Sequence, residues 1–496
     1  MNASGLIGKD ARSVVASLGR GEITPHDLLD ALEARIAEVD PLVNALPTLC
    51  FDRARAAADR LMARPVAERG LLAGLPVPIK DLTDVGGVRT TYGSAAFSGH
   101  VPQSSNLLVE RLEESGGIVY AKSNTPEFGA GGNTFNEVFG ATLNPWNTAR
   151  SAAGSSGGAA AALASGMAWV AHGSDMGGSL RNPASFCGVV GLRPSIGRVA
   201  ATPAGQVDGT LNVEGPMARN VRDLALLLDA MAGEHPGDPL SLPAVGGQFS
   251  KAARSGWRPA RIAYSADLGI TPVDPEVAAL TRAAAGKLAG EGVIVEEAHP
   301  DLSEAHECFQ VLRALSYATA RGGLLAAHRD RFKPEVVWNI EKGLALGAAE
   351  IVRAQAQRVV LMQRMRDFFR SYDLLLCPTT IVAAFPVEER HVASCAGVGF
   401  RTYIDWLAIV YAATVACCPA LSIPCGFTAE GLPVGLQIIG PPRGDALCLA
   451  GGRFAEEVLG LGDLTPIFPR PPAAEGSTGR CDPPDDRTTG NRKEDR

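Results

Sequence analysis

The stretch 144-NPWNTARSAAGSSGGAAAALASG-166 decides whether the chain folds as one unit or two. By composition, the Gly/Ser/Ala run around 154-GSSGG-158 is a flexible linker. A linker is flanked by polar sequence, whereas 159-AAAALASGMAWVAHGS-174 follows it directly and is apolar enough for a buried helix. A Gly/Ser loop that opens a buried helix presents backbone N–H groups and hydroxyls to something. The stretch therefore reads as part of a site inside one folded unit. It also fits the G-x-S-x-G nucleophile elbow, with Ser156 as the serine. That motif needs a strand before it and a catalytic histidine after it. The segment 144-NPWNTARSAA-153 reads as no strand, and beyond residue 328 only His391, in an irregular segment, remains.

Outward from this stretch the pattern is α/β. In 23-ITPHDLLDALEARIAEVD-40, Thr24 is placed to cap a helix with Pro25 at its first position, and Leu28, Leu29, Leu32 and Ile36 share one face. Short apolar runs such as 75-LPVPIK-80 and 116-GGIVYAKS-123 read as strands between helical stretches. The second half repeats the alternation, with a strand in 259-PARIAYSADLG-269, a helix from Asp274 and Pro275, and a strand in 293-VIVEEA-298. The apolar segments 372-YDLLLCPTT-380, 419-PALSIPCGF-427 and 432-LPVGLQIIG-440 need partners to bury against, which favours one continuous core over two domains divided near 233–257.

A chain of 496 residues with 46% hydrophobic and 20% charged residues is globular. A formal net charge of −7 offers no basic field for nucleic acid or an anionic membrane, so the expected partners are small molecules. The ten cysteines form no CxxC pair and read as reduced core residues. The first residues lack the apolar core of a signal peptide, and no run approaches the ~20 apolar residues of a membrane span. The expectation is a soluble, cytoplasmic protein. Residues 1–65 are expected to form a helical segment packed on the core, 66–470 the main α/β domain, and 471–496, rich in Pro, Asp, Arg and Gly, a disordered tail.

Two further stretches carry chemistry. Lys80 ends the apolar, proline-constrained run 75-LPVPIK-80, and burial is what lowers a lysine's pKa enough to make it a neutral base. On its own a lysine at a strand end points to water. In 172-HGSDMGGSLRNPASFCG-188, a glycine pair precedes Ser179, and such a turn lets successive N–H groups converge as an oxyanion hole requires. An ordinary tight turn before a helix has the same composition.

Taken together these stretches resemble the amidase signature family of serine hydrolases. The resemblance runs from the N-terminal helices through 215-GPMARNVRDLALLLDAMAG-233 to 431-GLPVGLQIIGPP-442, and is densest over Gly154–Pro194, where Ser155 and Ser179 stand 24 residues apart. It implies a single large α/β domain with a central twisted mixed β-sheet covered by helices on both faces. It implies Ser179 as nucleophile, Ser155 as a bridging serine after a cis peptide bond from Gly154, and Lys80 as base. The oxyanion hole maps to the backbone N–H groups of Met176, Gly177, Gly178 and Ser179, with Asp175 behind them and Ser156 and Arg181 in support. Ala153 and Ser174 depart from the family's more frequent Gly and Thr, and neither alters a catalytic group. No cofactor or metal is implied, and a homodimer is left open.

His172 reads as a satisfied core histidine in an apolar helix. The substrate pocket is expected from loops near 128–135, 200–212, 315–345 and 398–414, which carry Phe128, Phe135, Tyr317, Trp338, Phe400, Tyr403, Trp406 and Tyr411. These point to an apolar or aryl amide, with esters and carbamates open to the same acyl chemistry. The family also includes the glutaminase subunit of the tRNA-dependent amidotransferase, whose second half is richer in arginine and tyrosine. The segment 339-NIEKGLALGAAEIVRAQAQRVVLMQRMRDFF-369 looks more like that of a free-standing amidase.

Overall fold

Along Leu374–Pro378 the side chains divide between two apolar layers, Leu374 and Leu376 joining one and Leu375 and Cys377 the other. Successive Cβ atoms of a strand point to opposite faces, so a strand apolar at every position is one covered on both sides. Ile262 and Ala263, and Ile438 and Ile439, divide in the same way. All belong to one eight-stranded sheet in the order Ile294–Glu297, Arg261–Tyr264, Leu374–Pro378, Pro433–Ile439, Ala420–Phe427, Val190–Arg193, Val213–Ala218, Val170–Asp175. The first three strands run parallel and the remaining neighbours are antiparallel. The computed structural model describes residues 3–202 and 209–472.

The sheet joins the two halves of the chain, since Ala420–Phe427 pairs with Val190–Arg193 in register Leu421 to Leu192. The segment near 233–257 therefore separates no independent units, and the fold is a single mixed α/β domain with helices flanking the sheet. One helical layer holds Val221–Met231, Pro275–Gly290 and Asp445–Leu459; the other holds Ala305–Arg321, Ala348–Phe368 and Ala408–Val415. Leu28, Leu29, Leu32 and Ile36 of the helix Pro25–Val43 are buried in the first layer. That helix starts at a capping box in which the Asp27 carboxylate accepts the Thr24 amide (2.7 Å) and the Thr24 hydroxyl accepts the Asp27 amide (3.2 Å). A smaller sheet pairs Ile118–Ser123 with Thr48–Leu49 on one side and Pro76–Lys80 on the other. Among the described residues, no helix is long and apolar enough to cross a membrane.

Two local expectations change. Asn147–Ser151 is a strand after all, paired with Leu143–Asn144 in a hairpin. Its polar residues are half-buried rather than alternately buried, so no period of two marks it. The run 159–174 is not one helix either. The helix Gly157–Ala164 ends at Gly166 (φ +76), and Val170–Asp175 is the edge strand of the large sheet, so His172 lies on a strand. The expected tail lies, from residue 473 onward, outside the described residues, as does 203–208 of one expected pocket loop.

Candidate active site

Lys80 is the last residue of the strand Pro76–Lys80 and is wholly buried. Its Nζ donates to Ser155 Oγ (2.7 Å), Ser156 Oγ (2.8 Å), Ser174 Oγ (3.1 Å) and the Ser174 carbonyl (3.4 Å). Burial pulls this ammonium down to about 7, opposed only in part by the carboxylates of Glu214 and Asp175. Strand alternation explains one partner that sequence reasoning passed over: His172 and Ser174 share a face of Val170–Asp175, and that face meets Lys80. There His172 Nδ1 accepts the Lys80 backbone amide (3.3 Å) and its Nε2 meets Glu214 Oε2 (2.7 Å).

Ser155 follows a cis peptide bond from Gly154. The turn that carries it is tied from behind, with Thr134 Oγ1 donating to the Ala153 carbonyl (2.8 Å) and accepting the Gly157 amide (3.2 Å). The Ser156 amide donates to the Ser179 carbonyl (3.1 Å), which joins this turn to the one bearing Ser179. The Ser156 hydroxyl is engaged by Lys80 and the Ser174 carbonyl, and no histidine among the described residues touches it. The strand objection to the elbow motif falls, but its histidine is missing.

Ser179 leaves the strand Val170–Asp175 through Met176, Gly177 and Gly178 and precedes the helix Arg181–Cys187. Gly178 is required twice over. Its φ is +101, and a Cβ there would stand 2.5 Å from Val410 Cγ2. The wholly buried Asp175 carboxylate accepts the Gly178 (2.9 Å) and Leu180 (3.1 Å) amides and pairs with Arg181 through Nε (3.0 Å) and Nη2 (2.9 Å). Burial would raise Asp175, but the charges of Arg181 and Arg193 and the Gly178 amide outweigh it and hold the carboxyl well below the usual range. Arg181 also donates to the Val410 carbonyl (2.7 Å) and Gln437 Oε1 (2.5 Å), so it orders the loop from inside the core. One of the four expected oxyanion donors is corrected here: the Gly178 amide is engaged by Asp175. The Met176, Gly177 and Ser179 amides have no acceptor among the described residues.

Ser155, Ser174, Met176, Gly177 and Ser179 border one cavity of about 390 Å³, in which Ser179 is only half-buried. Of the aromatics expected to line it, Phe128 and Tyr317 do. Trp406 and Tyr411 are buried in the core instead, and Phe135, Trp338, Phe400 and Tyr403 stand away from its wall. The polar lining was not foreseen: Arg313, Arg321 and Glu214 border the cavity from elements distant in sequence.

A family model described as Amidase matches residues 27–449. An acylamidase of Rhodococcus erythropolis is 34% identical over 471 residues, covering 92% of this chain and 96% of that protein. One component of the glutamyl-tRNA(Gln) amidotransferase of Synechococcus sp. (strain CC9605) is 36% identical over 452 residues, covering 85% of this chain and 91% of its own length. The crystal structure of a bacterial aryl acylamidase of the amidase signature family superposes with a TM-score of 0.85 at 27% identity, over 92% of this chain and 99% of that one.

Proposed function

Because the chain belongs to the amidase signature family and is an amide hydrolase of that kind, we propose that it works as a free-standing enzyme on apolar or aryl carboxylic amides, through an acyl-enzyme on Ser179. The observation that carries this reading is the buried Lys80 Nζ at 2.7 Å from Ser155 Oγ, beside a half-buried Ser179. In its neutral form Lys80 takes the Ser155 proton, Ser155 takes the Ser179 proton, and the Ser179 oxygen bonds to the substrate carbonyl carbon. A serine suits the bridge because its hydroxyl both donates and accepts. The carbonyl oxygen gains negative charge and meets the Met176, Gly177 and Ser179 amides, each worth about 3 to 4 kcal/mol to a transition state of this type. When the tetrahedral adduct collapses, the C–N bond breaks and the leaving nitrogen receives the relayed proton. Water then repeats the sequence on the ester and frees Ser179. Esters and carbamates present the same carbonyl to the same groups.

The amidotransferase components at 36% identity favour a second reading, a glutaminase that works within a complex. Phe128 and Tyr317 in the cavity wall support the aryl amide reading instead, as does the acylamidase, 34% identical over 92% of the chain. The test is a panel of anilides, aliphatic amides, glutamine and aryl carbamates offered to the purified chain alone. Release of aniline supports the proposal; hydrolysis of glutamine only when partner chains are added overturns it.

A further inference from the structure

Three arginines line the cavity on which Ser179 opens: Arg313, Arg321 and Arg358. The Arg313 guanidinium is bonded to the Asn339 side chain, and Arg358 donates to the Val415 carbonyl (3.3 Å) and the Thr210 hydroxyl (2.5 Å). Arg313 also lies over the Tyr317 ring (4.6 Å), so what sets Arg321 apart is its bonding. The Arg321 guanidinium lies over the rings of Phe128 (4.8 Å) and Tyr317 (5.1 Å) and makes no hydrogen bond or ion pair with any described residue.

The carboxylates around it are engaged elsewhere. Glu127 accepts the Ser94 hydroxyl (2.6 Å) and the Lys333 amide (2.7 Å), and Asp84 accepts the Tyr92 hydroxyl (2.7 Å). Across the cavity lining, Glu214 holds His172 (2.7 Å), and Asp238 accepts the Ala201 (3.2 Å) and Leu240 (3.0 Å) amides. A guanidinium stacked on aromatic faces keeps its N–H edge free, and that edge matches the two oxygens of a carboxylate. The platform is also fixed and close to the chemistry. The Tyr317 hydroxyl donates to the Phe128 carbonyl (3.0 Å), and a Cβ on the next residue, Gly129, would stand 3.3 Å from Ser155 Oγ.

We infer that the preferred substrates are amides with a carboxylate on one arm, bound by Arg321 while Phe128 and Tyr317 hold the apolar part. This rests on the reading of Ser179 given above and adds a charge requirement to it. The test compares kcat/KM within two matched pairs on the purified full chain. Glutaryl against pentanoyl para-nitroanilide places the carboxylate on the acyl arm, and para-acetamidobenzoate against para-acetamidobenzamide places it on the amine arm.

The carboxylate member of one pair should be favoured about tenfold or more, the range of a charge-assisted bidentate contact. Arg321→Gln should bring that ratio close to one, and Arg321→Lys should retain part of it. Because the ratio is internal to each preparation, loss of folded enzyme cancels from it, and the wild-type preference stands as a test without any variant. Turnover of both pairs without preference, or a preference that survives Arg321→Gln, overturns this inference alone. No turnover of any of the four overturns the reading of the site as well.

Discussion

At Lys80, burial favours the neutral amine, the Glu214 and Asp175 carboxylates oppose it only in part, and the group is left at about 7. In the proposed relay the neutral form is the base, so activity should be lost as the proton is added. kcat/KM should therefore fall about tenfold for each pH unit below 7 and level off above it. A profile flat from acid to neutral pH would contradict the assignment. Lys80→Ala should lower kcat by about a hundred- to ten-thousand-fold with the fold intact by circular dichroism. The sequence pointed to the lysine and both serines through the family resemblance, since the lysine's position alone left open whether it faces water, and the fold brings Lys80 to Ser155. The Gly178 amide was not, because residue order shows Asp175 three positions away without showing where its carboxylate turns. Arg321 was hidden for a related reason: a basic residue at the end of a helix reads as solvated until Phe128, nearly two hundred positions earlier, is brought beneath it.

Between the edge strand Val170–Asp175 and the helix Arg181–Cys187, one turn holds every atom assigned to oxyanion binding, and the Asp175–Arg181 pair fixes its shape. Removing one partner of a buried pair leaves the other charge uncompensated, which costs about 3 to 5 kcal/mol. Arg193 remains 3.5 Å from Asp175, so Arg181→Met should fall near the lower end, about 3 kcal/mol by urea unfolding. A loss under about 1 kcal/mol would show the pair to be dispensable. Gly178→Ala acts on the same turn through sterics. With φ at +101 and Val410 2.5 Å from the new carbon, the turn must shift, and kcat should drop about a hundredfold with KM changing far less. At this scale the sequence told most where the pattern was periodic. The capped helix at Pro25 and the helix at Pro275 lie where their caps put them. The hairpin strand Asn147–Ser151 and the switch from helix to strand at Gly166 escaped because neither is marked by alternation of apolar residues.

Over the whole molecule, the eight-stranded sheet carries the turn of Ser179 from its edge, while Lys80 arrives from the smaller sheet beside it. The apolar runs that build the large sheet were readable one by one, and their need for partners argued for a single core. Their order was not readable, since hydrogen bonding between Val190–Arg193 and Ala420–Phe427 joins segments more than two hundred residues apart. In the proposed relay one serine is the nucleophile and its neighbours move the proton. A fluorophosphonate probe, followed by peptide mapping of the adduct, tests it most directly. A single adduct is expected on Ser179, absent from Ser179→Ala and slow to form in Lys80→Ala; an adduct on Ser155 or Ser156, or undiminished labelling of Ser179→Ala, would overturn the assignment.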